Sequence, residues 1–359
     1  MIIGVPKEIK TKETRVAITP NGVKELSSKG HKVYLEKDAG LNSSFSNEEY
    51  QNAGATLEAK HEQVWEKAEM IVKVKEPLES EYKYFRPDLT VFTYLHLASV
   101  PPLVTALLKA KTTAIGYETV EEDNGELPLL RPMSEVAGRV ATQVGTYLLH
   151  SNHGGKGLLL GGVTGTRRGT VVVIGGGYVG LNAAEVASGL RAETIILDIS
   201  DKKIAYIEDT YNGRIKPIKS SKETIAEWTS KADLLIGAVL VAGDRAPHLV
   251  TRDMVKNMKQ RSVIVDVSID QGGCVETSRT TSHEVPTFTE HNVIHYCVPN
   301  MPALTPITST EALTSATLPY VVRIANDGVK NALSKDKVLA RGLQTQNGEI
   351  KHPVIAKLF

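Results

Sequence analysis

Cysteine is almost missing from this chain: Cys274 and Cys297 are the only two in 359 residues. Two thiols make no disulfide framework, and they fit a reducing compartment as small, semi-buried side chains. An excess of charge of either sign is missing too. The 42 basic and 41 acidic residues leave a formal net charge of +1, so no field draws in nucleic acid or an acidic membrane surface. No apolar run reaches the roughly eighteen residues that a membrane-crossing helix requires. The opening MIIGVPKE has neither the basic nor the long apolar region of a secretory signal, and a cytoplasmic location is the expectation. There is no low-complexity tract, and no internal repeat beyond a likeness between two αβ halves. His150 and His153 stand apart from other ligand types, which gives no ground for a metal site.

What the chain does have is length, ordinary apolar content and one strong motif. At 359 residues, 41% of them hydrophobic, it exceeds one ordinary core, and two domains are expected. Residues 170–198 read TVVVIGGGYVGLNAAEVASGLRAETIILD. The β-branched run 171–174 suits a strand buried on both faces. Gly175, Gly177 and Gly180 follow as G-x-G-x-x-G, then an Ala-rich helix and a second strand, 194–197, ending in Asp198. Gly175 makes the tight turn, Gly177 lets the backbone approach a pyrophosphate, and Gly180 lets the helix lie close to the strand. The unpaired N–H groups at the helix start favour the phosphates. Asp198 lies eighteen positions past Gly180, near the spacing of an acid that binds ribose hydroxyls. A carboxylate there repels a 2′-phosphate, so NAD is favoured over NADP. Strand, turn, helix, strand and acid fall in order, which a chance glycine turn does not do.

The segment before residue 128 alternates apolar runs (1–5, 32–35, 70–74, 91–95 and 113–117) with helical stretches, which implies a second parallel sheet. It has no glycine fingerprint. Ligands of open parallel sheets sit beyond the carboxyl ends of strands, so Arg15, Lys75 and His96, which follow three of these runs, draw notice. An arginine grips a carboxylate with two hydrogen bonds, a lysine polarises a carbonyl, and a histidine exchanges a proton near neutral pH. Taken singly, each has a plain reading: a solvated arginine, a strand-end charge, and a core histidine beside aromatics.

Residues 127–150 read as a linker stiffened by Pro128 and Pro132, then a long helix capped by Ser134. Val136, Val140, Val144 and Leu148 form its apolar stripe. Gly138 and Gly145 each cost about 1 kcal/mol in a helix interior, which close approach of another helix or a ligand would explain. A glycine-rich stretch then leads to the fingerprint as a mobile loop. Further strands are expected at 234–240, 263–267 and 293–296. The second leads to Asp270, a candidate either for chemistry or for a plain turn before Gln-Gly-Gly, and the third leads to Asn300. The chain turns helical again from about Thr308, with Pro319 starting a second helix. The last helices return to the first domain. The expected division is residues 1–128 plus 307–359 as a substrate domain and 129–306 as an NAD-binding domain.

The segments VPKEIKTKETRVAITP, IVKVKEPL, FTYLHLA, RPMSEVAGR, VVVIGGGYVG, ADLLIGAVLV, SVIVDVSIDQGGCVET and HYCVPNMP together resemble bacterial alanine dehydrogenase, within the alanine dehydrogenase/transhydrogenase α-subunit family. The likeness runs through the whole chain in order. It implies an α/β fold of two Rossmann-like, doubly wound domains with a catalytic cleft between them. It also implies reversible conversion of L-alanine, NAD⁺ and water to pyruvate, ammonium and NADH, and a homohexamer. By the same resemblance Arg15 clamps the substrate carboxylate and Lys75 binds the carboxylate or carbonyl. His96 is the general acid/base, and Asp270 helps activate the attacking water. Cofactor contacts match at Ser134, Tyr178, Val179, Asp198, Lys203, Ser220, Val239, Leu240, Val267, Ser268, Ile269, Asp270, Arg279, Val298, Pro299, Asn300 and Met301. Two departures stand out. Tyr178 sits within the glycine turn, and the late-helix positions where some relatives bind a divalent metal carry Arg323 and Asp327, so no metal is expected. Competing readings are a transhydrogenase nucleotide-binding component, a non-catalytic NAD-binding protein, and a dehydrogenase of another amino acid.

Overall fold

The computed structural model describes residues 1–239 and 246–359. Its strands, in chain order, are β1 (Ile2–Val5), β2 (Lys32–Glu36), β3 (Thr56–Glu58), β4 (Met70–Val72), β5 (Thr90–Thr93) and β6 (Thr113–Gly116). Then come β7 (Thr170–Ile174), β8 (Glu193–Asp198), β9 (Lys216–Lys219), β10 (Leu234–Gly237), β11 (Val263–Asp266), β12 (Thr287–Glu290) and β13 (Val293–Tyr296). β14 (Leu343–Gln346) and β15 (Glu349–Ile350) close the chain's strand content. They fall into two compact units, Met1–Met133 with Ala303–Phe359, and Ser134–Pro302.

The first unit holds an eight-stranded sheet in the order β15-β14-β6-β5-β4-β1-β2-β3. β1 to β6 are parallel, and β14 and β15 extend the edge antiparallel. The strand order reverses between β1 and β4, the place where an open α/β sheet leaves a crevice at its carboxyl ends. β4 and β5 are buried throughout, as their unbroken apolar and Thr content requires of a sheet covered on both faces. Trp65, Phe85, Leu89, Val91, Leu103 and Leu107 pack one of those faces.

Among the described residues the second unit repeats the same winding in a seven-stranded sheet, β12-β13-β11-β10-β7-β8-β9, with only β12 antiparallel. Its switch point lies between β7 and β10. β7 is buried along its whole length. Val172, Ile174, Ile195, Leu197, Leu235 and Ile264 share one core cluster with residues of the covering helices.

Several expected boundaries move, each for a local reason. β4 stops at Val72 and β5 at Thr93 although the apolar pattern continues, because carboxylates take over the ladder's donors. Val74 N–H donates to Glu8 Oε1 at 2.6 Å, and Leu95 N–H donates to Glu118 at 3.1 Å. β10 ends at Gly237, and β11 ends at Asp266, whose carboxylate accepts Ser268 N–H to start a 3₁₀ turn. Ser134 does not cap the long helix, which begins at Arg131 and runs to Leu148. Pro132 is tolerated within its first turn because the missing N–H has no helical acceptor there. Pro319 does not start a helix either: it lies inside one that spans Pro306–Asp327. The carbonyl it leaves without a donor belongs to Ser315, which is exposed to water, while Leu313, Val321 and Ile324 bury the helix on both sides of the proline. The helix ends at Gly328, in a positive-φ conformation (φ 74).

Candidate active site

The crevice of the first unit collects the segments that follow β1, β4, β5 and β6. Arg15 is 2% exposed, so it is not a solvated side chain. Glu13 grips it bidentately, Nε to Oε1 at 2.7 Å and Nη2 to Oε2 at 2.6 Å, and Nη1 lies 2.9 Å from Met133 Sδ. Burial works against its charge, but the Glu13 carboxylate outweighs burial and raises the guanidinium pKa further. Lys75 differs in kind. Its ammonium makes no hydrogen bond or ion pair among the described residues. Burial first, then repulsion from Arg15 and Lys10, lowers its pKa. His96 stacks on Tyr94, ring centroids 5.9 Å apart, and burial holds its pKa below the ordinary value against the pull of Glu118. The three residues suspected from sequence thus share one electrostatic neighbourhood: Arg15 acts on Lys75 and Lys75 acts on His96.

The crevice of the second unit is shaped by the glycine turn. Gly175 takes φ 101, a conformation that favours glycine. A Cβ on Gly180 would lie 1.8 Å from Gly175 O, whereas one on Gly177 would meet nothing within 4 Å. The turn is therefore closed at its base and open where a pyrophosphate would approach. Gly138 serves the same packing: its Cβ would be 2.1 Å from Val179 O, so the long helix lies directly on the turn. Asp198, 6% exposed, accepts Gly176 N–H at 2.7 Å and Ser200 N–H at 2.8 Å. Lys203 Nζ is 3.5 Å from it, and Ser220 N–H donates to Asp198 O at 2.9 Å. Asp198, Lys203 and Ser220 are thereby brought together beyond β8 and β9. The open Gly177 edge and this acid fit the two halves of a dinucleotide's phosphate–ribose segment.

Across the switch point, Ser268 Oγ accepts Val239 N–H at 2.9 Å, which ties the ends of β10 and β11. Asp270 is exposed within the 3₁₀ turn Val267–Gln271, and its Oδ1 accepts Asn300 N–H at 3.3 Å. Val298, Pro299, Asn300 and Met301 follow β13, so this group is also assembled. Ser134 and Tyr178 lie near the starts of two helices, Arg131–Leu148 and Tyr178–Gly189. Arg279 is turned to the outer strand: its guanidinium covers the Phe288 ring at 3.7 Å and pairs with Glu290 at 3.6 Å. Leu240 lies outside the described residues. Of the late-helix pair, Arg323 is engaged by Asp336 and Asp327 by Lys335. Among the described residues no cluster of three or more His, Cys, Asp or Glu is set to hold a metal.

Sequence reasoning passed over the groups that hold these residues. Glu13, two places before Arg15, carried a signal in its spacing. Glu118, whose Oε1 accepts His96 N–H at 2.7 Å, did not. Nor did Asp266, buried under the β11 turn and accepting N–H groups of Ser268, Cys274 and Val275.

The alanine dehydrogenase/PNT N-terminal domain family matches residues 4–137, and the alanine dehydrogenase/PNT C-terminal domain family matches residues 141–353. The alanine dehydrogenase of Bacillus subtilis (strain 168) is 53% identical over 99% of this chain and 94% of its own length. A solved L-alanine dehydrogenase superposes with a TM-score of 0.97 at 48% identity, covering 100% of this chain and 99% of that one. A transhydrogenase from Sinorhizobium meliloti, at 23% identity and a TM-score of 0.85 over 98% of this chain and 100% of that one, shares the fold. Together with the paired doubly wound units, these matches establish that the chain belongs to the alanine dehydrogenase/PNT family.

Proposed function

We propose that this protein is an NAD-dependent L-alanine dehydrogenase, converting L-alanine, NAD⁺ and water reversibly to pyruvate, ammonium, NADH and a proton. The observation that carries the reading is the unpaired, desolvated ammonium of the half-buried Lys75, within electrostatic reach of Arg15 and His96. A desolvated cation without a partner is costly, and a small carboxylate supplies what it lacks. The family and the full-length identity of its alanine dehydrogenase members support the same substrate.

NAD⁺, when bound, supplies the hydride acceptor. The chain's own residues do the rest. Arg15, its plane fixed by Glu13, and Lys75 hold the substrate carboxylate. His96, neutral at neutral pH because burial lowers its pKa, accepts a proton from the amino group or the attacking water and returns it in reverse. Asp270, hydrogen-bonded to Asn300, orients that water toward the carbon that has lost its hydride. Gly175, Gly177 and Gly180 seat the pyrophosphate, with Tyr178 and Val179 beside it, and Asp198 receives the ribose hydroxyls. Residues 1–128 with 307–359 make the substrate side and 129–306 the cofactor side. A cytoplasmic homohexamer completes the reading, and sedimentation of the pure protein tests the assembly.

The activity is tested by initial rates at the NADH absorbance. Pure protein is given NAD⁺ with a panel of small amino acids at alkaline pH, and then NADH with pyruvate and ammonium. Turnover in both directions, best with alanine and pyruvate, is expected. Silence in both, with NAD binding intact, would overturn the proposal.

A further inference from the structure

An amino acid brings two charges to its site, and Arg15 with Lys75 answers only one. Both are cations, suited to the carboxylate. The α-ammonium group is itself a cation with donors only, and its counterpart is a carboxylate. Four carboxylates border this crevice, and three have both jobs and partners. Glu8 accepts Val74 N–H at 2.6 Å and faces Lys73 at 3.4 Å. Glu13 forks Arg15. Glu118 holds the N–H groups of Leu95 and His96. Glu76 is different. Lys10 pairs with its Oε1, whereas Oε2 is buried and accepts no hydrogen bond among the described residues. The residue is 7% exposed, directly follows Lys75, and exerts its charge on both Lys75 and His96. A buried acceptor left without a donor is costly to keep.

We propose that Glu76 is a further substrate-binding residue, whose Oε2 accepts an N–H from the α-amino group of the amino acid and, in the reverse direction, from ammonium. This rests on the reading of the crevice as a dehydrogenase's amino-acid site. Lys10 fixes one carboxylate oxygen and leaves the other for the substrate. Burial works against the Glu76 charge, but the hydrogen bond from Lys10 and the charges of Lys10 and His96 prevail and hold its pKa below the ordinary value. The crevice therefore favours its ionised form. Two consecutive residues of opposite charge, Lys75 and Glu76, serve the two ends of a zwitterion, with His96 in electrostatic reach of both.

The reductive direction tests this, because there the two ends arrive as separate molecules. Glu76→Ala is expected to raise the KM for ammonium at least about 10-fold, with the KM values for pyruvate and NADH within about 3-fold of the parent. Glu76→Gln keeps the shape and an acceptor but loses the charge. It is expected to raise the ammonium KM to a lesser degree, and it decides the matter if the alanine variant fails to fold. Lys75→Ala, run beside them, is expected to show the opposite split, with pyruvate affected more than ammonium. If Glu76 only steadies Lys10 and Lys75, the pyruvate KM rises as much as that for ammonium, and the proposal is overturned. An unchanged ammonium KM in Glu76→Gln overturns it as well. If the parent protein turns over neither alanine nor pyruvate, the dehydrogenase reading has failed and this assignment falls with it.

Discussion

His96 holds a left-handed backbone, φ 49 and ψ 38, which costs a residue with a Cβ about 1–2 kcal/mol. Glu118 offsets that by accepting its N–H at 2.7 Å, and the Tyr94 ring stacks on the imidazole. Such strain persists where a side chain must be aimed. His96→Ala should lower kcat at least about 10²-fold with the thermal midpoint little changed; near-parental turnover would remove it from the proton transfer. In the proposed reading the part of Asp198 is selection rather than reaction. If its carboxylate repels a 2′-phosphate as proposed, Asp198→Gly should raise the ratio of kcat/KM for NADP over NAD. It should also lower the rate with NAD, because Gly176 and Ser200 lose the acceptor that orders their N–H groups. An unchanged cofactor ratio would show that the acid does not read the ribose.

At the scale of elements, the glycine turn separates packing from binding within four residues. The Cβ of Gly180→Ala would overlap Gly175 O. This variant should lose about 1–3 kcal/mol of stability along with NAD affinity. Gly177→Ala meets open space, so it should lose NAD affinity at a nearly parental melting temperature. Equal melting temperatures for the two variants would contradict the geometry. The strands that periodicity did not reveal share a character: β3, β9, β12 and β15 are short and largely polar, and β14 is an antiparallel addition. Edge strands are paired by what lies beside them more than by their own apolar pattern. The helix through Pro319 makes the same point, since burial on both sides of a proline overrides the break its ring invites.

At the scale of the whole molecule, a chain of charges runs through the first unit's interior. Glu36 meets His61 Nδ1 at 2.7 Å, His61 Nε2 meets Glu81 at 3.1 Å, and Lys73 joins Glu81 at 2.9 Å and Glu8 at 3.4 Å. Lys73 is 1% exposed, so its charge depends on those two carboxylates, and removing both would leave it buried and uncompensated, a large destabilisation. Burial opposes the charge on His61, yet Glu36 and Glu81 outweigh it and raise its pKa to about 9. A group whose folded pKa is raised gives stability that is complete below its unfolded value and is lost as pH rises through the folded one. The urea midpoint should therefore fall between about pH 6.5 and 9 in the parent and vary less in His61→Gln. A parallel pH dependence in both would exclude His61 as the source.

The sequence by itself determined what depends on local order. The G-x-G-x-x-G turn, its flanking strands and Asp198 are legible because each job needs a residue type at a set spacing along one strand–helix–strand unit. The apolar runs that become β1, β4, β5, β7 and β11 are legible because strands buried on both faces must be apolar throughout. Only the tertiary structure decided which charges meet. Glu13 locks Arg15, Glu118 aims His96, Lys10 occupies half of Glu76, and Lys75 is left half-buried without a partner among the described residues. Apart from Glu13 and Arg15, two places apart in one loop, these are in sequence ordinary charged residues of segments that a crossover sheet brings together. Burial then converts their proximity into fixed orientation and shifted pKa values, because electrostatic interactions strengthen once water is excluded.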